Sequence, residues 1–176
     1  MTQAEVEFAI KKQTVKWLQK SDVRAVAKDT AKYINKIIID RVKNHKDLYG
    51  HSFGGYNKSY DKNYAFNYAA KKGERFTEYA SRREPLRLTG QLLSGITVRV
   101  VRISQTSRQI TVRYLITVRA DLKDQVEGLQ STTGTARNGQ RYSKKAWYFL
   151  GISKQLYEYA KILKYFVNKF NKKKGH

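Results

Sequence analysis

Gln109-Ile110-Thr111-Val112-Arg113-Tyr114-Leu115-Ile116-Thr117-Val118-Arg119 is the stretch that decides the fold. Its even positions, Ile110, Val112, Tyr114, Ile116 and Val118, are all apolar. Its odd positions, Leu115 apart, are Gln109, Thr111, Arg113, Thr117 and Arg119. Successive side chains of a strand point to opposite sides, so this alternation predicts a strand in a sheet with one covered face. The preceding stretch, 96–103, alternates less regularly, and Ser104-Gln105-Thr106-Ser107 supplies a hairpin turn between the two. Near the N-terminus, residues 5–11 alternate in part and are read as a short strand, followed by a short helix over 13–19.

The cover for such a sheet is found upstream. Val23, Val26, Ala27, Thr30, Ile34, Ile37, Ile38 and Val42 recur at helical spacing, while Arg24, Lys28, Lys32, Lys36 and Lys43 project elsewhere. Ser21-Asp22 offers a capped start, and the helix is expected to end near His45. At the other end of the chain, Ser153 is placed to cap a last helix carrying Leu156, Tyr157, Ala160, Leu163, Tyr165, Phe166 and Phe170. The expected fold class is α+β: a twisted antiparallel sheet packed against a long N-terminal helix, with a C-terminal helix. With 176 residues, 40% of them hydrophobic, one domain over 1–170 is expected, ending in a basic disordered tail over 171–176.

Two stretches interrupt this scheme. Residues 47–83 are rich in tyrosine and lysine and punctuated by Gly50, Gly54, Gly55 and Gly73. A connection this long inside a small domain is uncommon and is usually functional. Tyr56, Tyr60, Tyr64, Tyr68 and Tyr79 are candidate assembly contacts, because tyrosine is favoured at protein interfaces. Interleaved as they are with basic residues, they also suit base stacking on single-stranded nucleic acid. Residues 128–145, rich in Gly, Ser, Thr and basic residues, are expected to form a mobile loop.

Charge bounds the partners. Lys and Arg number 36 against 14 acidic residues, a formal net charge of +22. Such a chain attracts polyanions, and that attraction weakens with salt. Arg99, Arg102, Arg113 and Arg119 on the two predicted strands are candidate DNA-facing residues; a solvated sheet face suits them equally.

Catalytic chemistry finds few groups to draw on. The chain has no cysteine, which removes disulfides and thiolate ligands. Its three histidines, His45, His51 and His176, leave little for a serine triad and read as helix-end, loop and tail residues. Lys46-Asp47, Lys123-Asp124 and Arg83-Glu84 read as ordinary surface pairs, and no carboxylate cluster of the kind that holds catalytic metals is evident. Gly50-His51-Ser52-Phe53-Gly54-Gly55 lacks the Gly-Lys-Ser/Thr ending of a phosphate-binding loop. No enzyme activity, cofactor or metal is expected. No signal peptide and no membrane-length apolar run is visible, so synthesis and folding in a cytoplasm are expected.

Three short strings then resemble a known family. Leu88-Thr89-Gly90-Gln91-Leu92-Leu93-Ser94-Gly95-Ile96 is similar to the Leu-Thr-Gly-x-Leu-Leu-x-x-Ile string of tailed-phage virion-morphogenesis and tail-completion proteins, including the head–tail joining type. Gly50-His51-Ser52-Phe53-Gly54-Gly55-Tyr56-Asn57-Lys58-Ser59-Tyr60 stands where that family carries a Gly/Phe/Tyr-Ser stretch. Phe149-Leu150-Gly151-Ile152-Ser153 looks like the family's Phe-Leu-Gly-Leu-Ser before a last helix. The three occur in the family's order, from about residue 50 onward. The basicity and the Tyr/Lys-rich excursion depart from the family.

The resemblance implies a structural role for Leu88, Thr89, Gly90, Leu92, Leu93, Ile96, Phe149, Leu150 and Gly151. It also implies a non-enzymatic virion subunit that forms a ring, hexameric or twelve-fold, in the neck or at the tail end. The partners implied are further copies of itself, other neck, portal-adaptor or tail-tube proteins and packaged DNA in the channel, with no membrane. A basic nucleic-acid-binding protein acting outside a virion is the alternative reading.

Overall fold

The computed structural model describes residues 3–11, 20–44, 46–51, 91–131, 133–135, 141–143, 148–153 and 156–172. Strand β1 (Gln3–Lys11) leads to helix α1 (Lys20–Lys43). A single helical turn, α2 (Gln91–Ser94), precedes β2 (Ile96–Gln105) and β3 (Gln109–Val118). A 3-10 turn (Ala120–Leu122) runs into α3 (Lys123–Gln130), then a small hairpin of β4 (Thr133–Thr135) and β5 (Arg141–Ser143), and finally α4 (Glu158–Lys172).

The main sheet is antiparallel throughout, with β3 between β1 and β2. The decisive stretch is therefore the central strand. Ile110, Val112, Tyr114, Ile116 and Val118 are all buried, and the facing residues Phe8 and Ile10 of β1 and Ile96 of β2 join them. Arg119 N–H donates to Gly95 O at 2.9 Å and extends the β2–β3 pairing past the strand end. The turn between β2 and β3 lies two residues later than expected: Thr106 Oγ1 accepts from the N–H groups of Arg108 (3.3 Å) and Gln109 (3.1 Å). A threonine hydroxyl that satisfies the turn's own backbone donors fixes the reversal there.

Helices α1 and α4 cover one side of this sheet. Helix α1 lies against β2, α4 against β1, and the two helices pack on each other. Arg41 meets Glu158 and Tyr33 stacks on Tyr165 with centroids 4.0 Å apart, so the helices run antiparallel. Every apolar residue expected on the inner face of α1 is buried except Ile37, which is half-buried. The helix begins at Lys20, so Ser21 and Asp22 sit in its first turn instead of ahead of it. Asp22 there and Arg41 and Lys43 in the last turn match the sign of the helix dipole.

Three expectations need correction. The last helix starts at Glu158 rather than beside Ser153, and its buried stripe is Glu158, Ile162, Phe166 and Phe170. Tyr157, expected in that stripe, has a positive φ of 54° and is 74% exposed. This left-handed residue stands directly ahead of the helix, and its carbonyl accepts the Lys161 N–H at 3.1 Å. The region 128–145 contains regular structure: its first residues complete α3, and β4 pairs with β5. The Leu-Leu string forms a single helical turn that leads into β2 at Ile96. The helix expected over 13–19 and the greater part of the 47–83 excursion lie outside the described residues, as does the 173–176 end of the tail.

Candidate functional site: a clamped loop and a charged sheet face

The Phe-Leu-Gly-Ile-Ser stretch is held by a buried polar cluster. Arg41, near the C-terminal end of α1, is 4% exposed and donates through Nη2 to the carbonyls of Phe149 (2.5 Å) and Gly151 (3.1 Å). Its Nη1 donates to Glu158 Oε2 at 2.5 Å. The same carboxylate oxygen accepts the Ser153 N–H at 2.7 Å. One guanidinium and one carboxylate thus join the end of α1, the loop and the start of α4. Burial pushes the Glu158 carboxyl above its ordinary value, while the Arg41 charge pulls the other way. Burial lowers Arg41 as well, against the same ion pair.

Asp47 extends the clamp. It was expected to be half of a surface pair with Lys46, yet it is buried. Its Oδ1 accepts the N–H groups of Tyr49 (2.9 Å) and His51 (2.8 Å), and its own N–H donates to His51 O. A carboxylate that satisfies two backbone donors builds a tight turn. Leu48 N–H then donates to Tyr148 O at 2.6 Å, tying this turn to the loop. Gly151 sits where the two meet, with φ +125°, a conformation that disfavours any Cβ. A Cβ there would also lie 3.3 Å from Leu48 Cδ1.

The resemblance residues that are described all serve packing. Leu92, Leu93, Ile96, Phe149 and Leu150 belong to the hydrophobic core, and Gly151 is buried in the clamp. Leu88, Thr89 and Gly90 lie outside the described residues. So do the candidate contacts Tyr56, Tyr60, Tyr64, Tyr68 and Tyr79. Arg41 and Glu158 were not singled out from sequence, and Asp47 was read only as a surface partner of Lys46. A signal for two of them exists: Arg41 falls seven residues after Ile34, and Glu158 four before Ile162, each on its helix's apolar stripe.

The four candidate DNA-facing arginines divide into two pairs. Arg113 donates to Glu7 Oε2 from Nε (3.1 Å) and Nη2 (3.0 Å), and Arg119 makes a two-pronged contact with Asp121 (2.6 and 2.8 Å). The Asp121 partner raises Arg119 and is itself held below the ordinary carboxylate range by it. These two charges are therefore matched within the chain. Arg99 and Arg102 are exposed on β2 and make no ion pair among the described residues. They lie on the sheet face opposite the helices, where Leu115 is nonetheless only 8% exposed.

Among the described residues no group of three or more His, Asp or Glu side chains converges as a metal site, and no helix is long and apolar enough to cross a membrane. His51 Nδ1 stands 3.5 Å from Asp47 Oδ2, but that carboxylate is already committed to backbone. Comparison with protein-family models, curated proteins and solved structures gives no match for this chain.

Proposed function

We propose that the chain is a non-enzymatic structural subunit of a tailed-phage virion, forming a ring in the neck or at the tail end that joins head to tail or completes the tail. The observation that carries this reading is the place of the resemblance strings in the fold. The Phe149–Ser153 string is clamped between both long helices by Arg41, Glu158 and the Asp47 turn, and Leu92, Leu93 and Ile96 seat the start of β2 beneath α1. The buried charges Arg41 and Glu158 pair with each other and with the backbone of that loop, and Asp47 holds two backbone N–H groups, so all three act as structural ties. Such a subunit has side chains that build a rigid body and leaves its charged faces for neighbours.

Quantitative mass spectrometry of gradient-purified virions tests the reading. The expected result is the chain at a fixed low stoichiometry relative to the major tail proteins; absence from the particle overturns it. A second reading, nucleic-acid binding outside a virion, is favoured by one observation: Arg99 and Arg102 are exposed and make no ion pair among the described residues, in a chain of net charge +22. Salt-sensitive binding of short oligonucleotides by the monomer, together with absence from the virion, would favour it.

A further inference from the structure

The bulge in β2 aligns two arginines with two glutamates across the sheet. Glu5 of β1 and Arg99 of β2 both pair with Leu115 of β3, and Glu7 and Arg102 both pair with Arg113. The register shift between Val100 and Arg102 makes this possible. In a regular strand Arg102 would point into the core, since residues 99 and 102 would face opposite sides. With Val101 extruded, Arg99 and Arg102 occupy successive rows of the face opposite the helices. Each row therefore runs from acid on one edge strand to base on the other.

Both outer strands have one edge without a strand partner among the described residues. They are parallel to each other, because each is antiparallel to β3. We propose that these edges recognise each other: β2 of one copy docks beside β1 of the next, setting Arg99 and Arg102 against Glu5 and Glu7 of the neighbour. This rests on the ring reading above and deepens it by naming the surfaces that meet.

The chemistry supports a second copy as occupant. Adjacent strands lie about 5 Å apart, which brings the two charge rows within ion-pair reach. Glu7 gives only Oε2 to Arg113, and Glu5 approaches Arg113 no closer than 4.0 Å, so both keep acceptor capacity. Val101, 52% exposed at the bulge, adds an apolar contact at the edge. A bulge and charged residues normally blunt an edge against indiscriminate pairing. A partner with acids at the matching spacing turns that repulsion into selection. Because the two edges differ, the contact is head-to-tail, the type that closes rings or extends open chains.

The test is sedimentation of the full chain at low and high salt, with charge reversal on each edge. Wild type should self-associate at low salt and dissociate at high salt, as exposed pairs are screened. Arg99→Glu/Arg102→Glu and Glu5→Lys/Glu7→Lys should each stay monomeric alone. Mixed in equal amounts they should assemble again, because each supplies the complement of the other. A monomeric wild type, charge-reversed variants that assemble like wild type, or a mixture of folded variants that stays monomeric overturns the docking.

Should Glu5→Lys/Glu7→Lys fail to fold, Arg99→Glu/Arg102→Glu is added to wild type. Its intact β1 edge should cap growing assemblies and shorten them; unchanged size overturns the proposal. Loss of short-duplex DNA binding in Arg99→Glu/Arg102→Glu with unchanged self-association assigns the arginines to a polyanion and also overturns it. Absence from virions would remove the ring reading yet leave this contact standing. Assembly insensitive to both charge reversals would remove the contact and leave the reading.

Discussion

Truncating Arg41 measures what the clamp contributes. Arg41→Ala strands a buried carboxylate on Glu158 and leaves the Phe149 and Gly151 carbonyls without their donor. Breaking a buried pair on one side costs about 3–5 kcal/mol, and chemical denaturation should show a loss of that size. Arg41→Met with Glu158→Gln should recover only part of it, since the two carbonyls stay unpaired. Tyr114 offers a different residue-scale test. Its hydroxyl is buried near Thr30 without a well-formed hydrogen bond, and burial pushes its pKa far above the usual tyrosine value while Thr30 pulls slightly the other way. An unfolded tyrosine ionises near pH ~10. Above that pH the unfolded chain loses a proton that the folded one keeps, so stability present below pH ~10 falls as pH rises. Tyr114→Phe should unfold with a flatter alkaline limb, and at neutral pH should change stability by less than about 1 kcal/mol, because no hydrogen bond is lost. An unchanged alkaline limb would count against the burial assigned to this hydroxyl.

At the scale of elements, Gly151 is the joint on which the loop turns. Gly151→Ala forces a Cβ into a φ of +125° and against Leu48 Cδ1. Backbone strain of this kind costs of order 1–3 kcal/mol, and thermal unfolding should register it, whereas Gly128→Ala in α3 meets open space and should be neutral or stabilising. The elements themselves were legible to different degrees. Strand β3 and helix α1 could be read because burial imposes a period on them, which their apolar residues keep with Leu115 as an exception. The start of α4 was legible only in part: the Ser153 hydroxyl does accept the Leu156 N–H at 3.2 Å, but a left-handed Tyr157 intervenes and the regular helix begins at the buried Glu158. Asp47 was misread for a related reason. Beside Lys46 a carboxylate looks like a surface partner, and nothing local reveals that it accepts two backbone N–H groups. The bulge at Val101 hid the alignment of Arg99 with Arg102, since alternation alone assigns them to opposite faces.

For the whole molecule, the layered α+β arrangement was readable, and it carries no function by itself. The functional reading rests on the order of three short strings and on what the fold does with the described ones. Both helices and the loop ahead of α4 are locked by the Arg41–Glu158 pair and its hydrogen bonds to backbone, while Arg99 and Arg102, without an ion pair among the described residues, are displayed at an edge of the sheet. That is the division a ring subunit needs, rigid within and selective at its borders. The most direct test is a phage from which this chain has been deleted. The account predicts DNA-filled heads and tails that remain unjoined or incomplete, with infectivity restored when purified wild-type protein is added to the lysate. Joined, infectious particles assembled without the chain would contradict it.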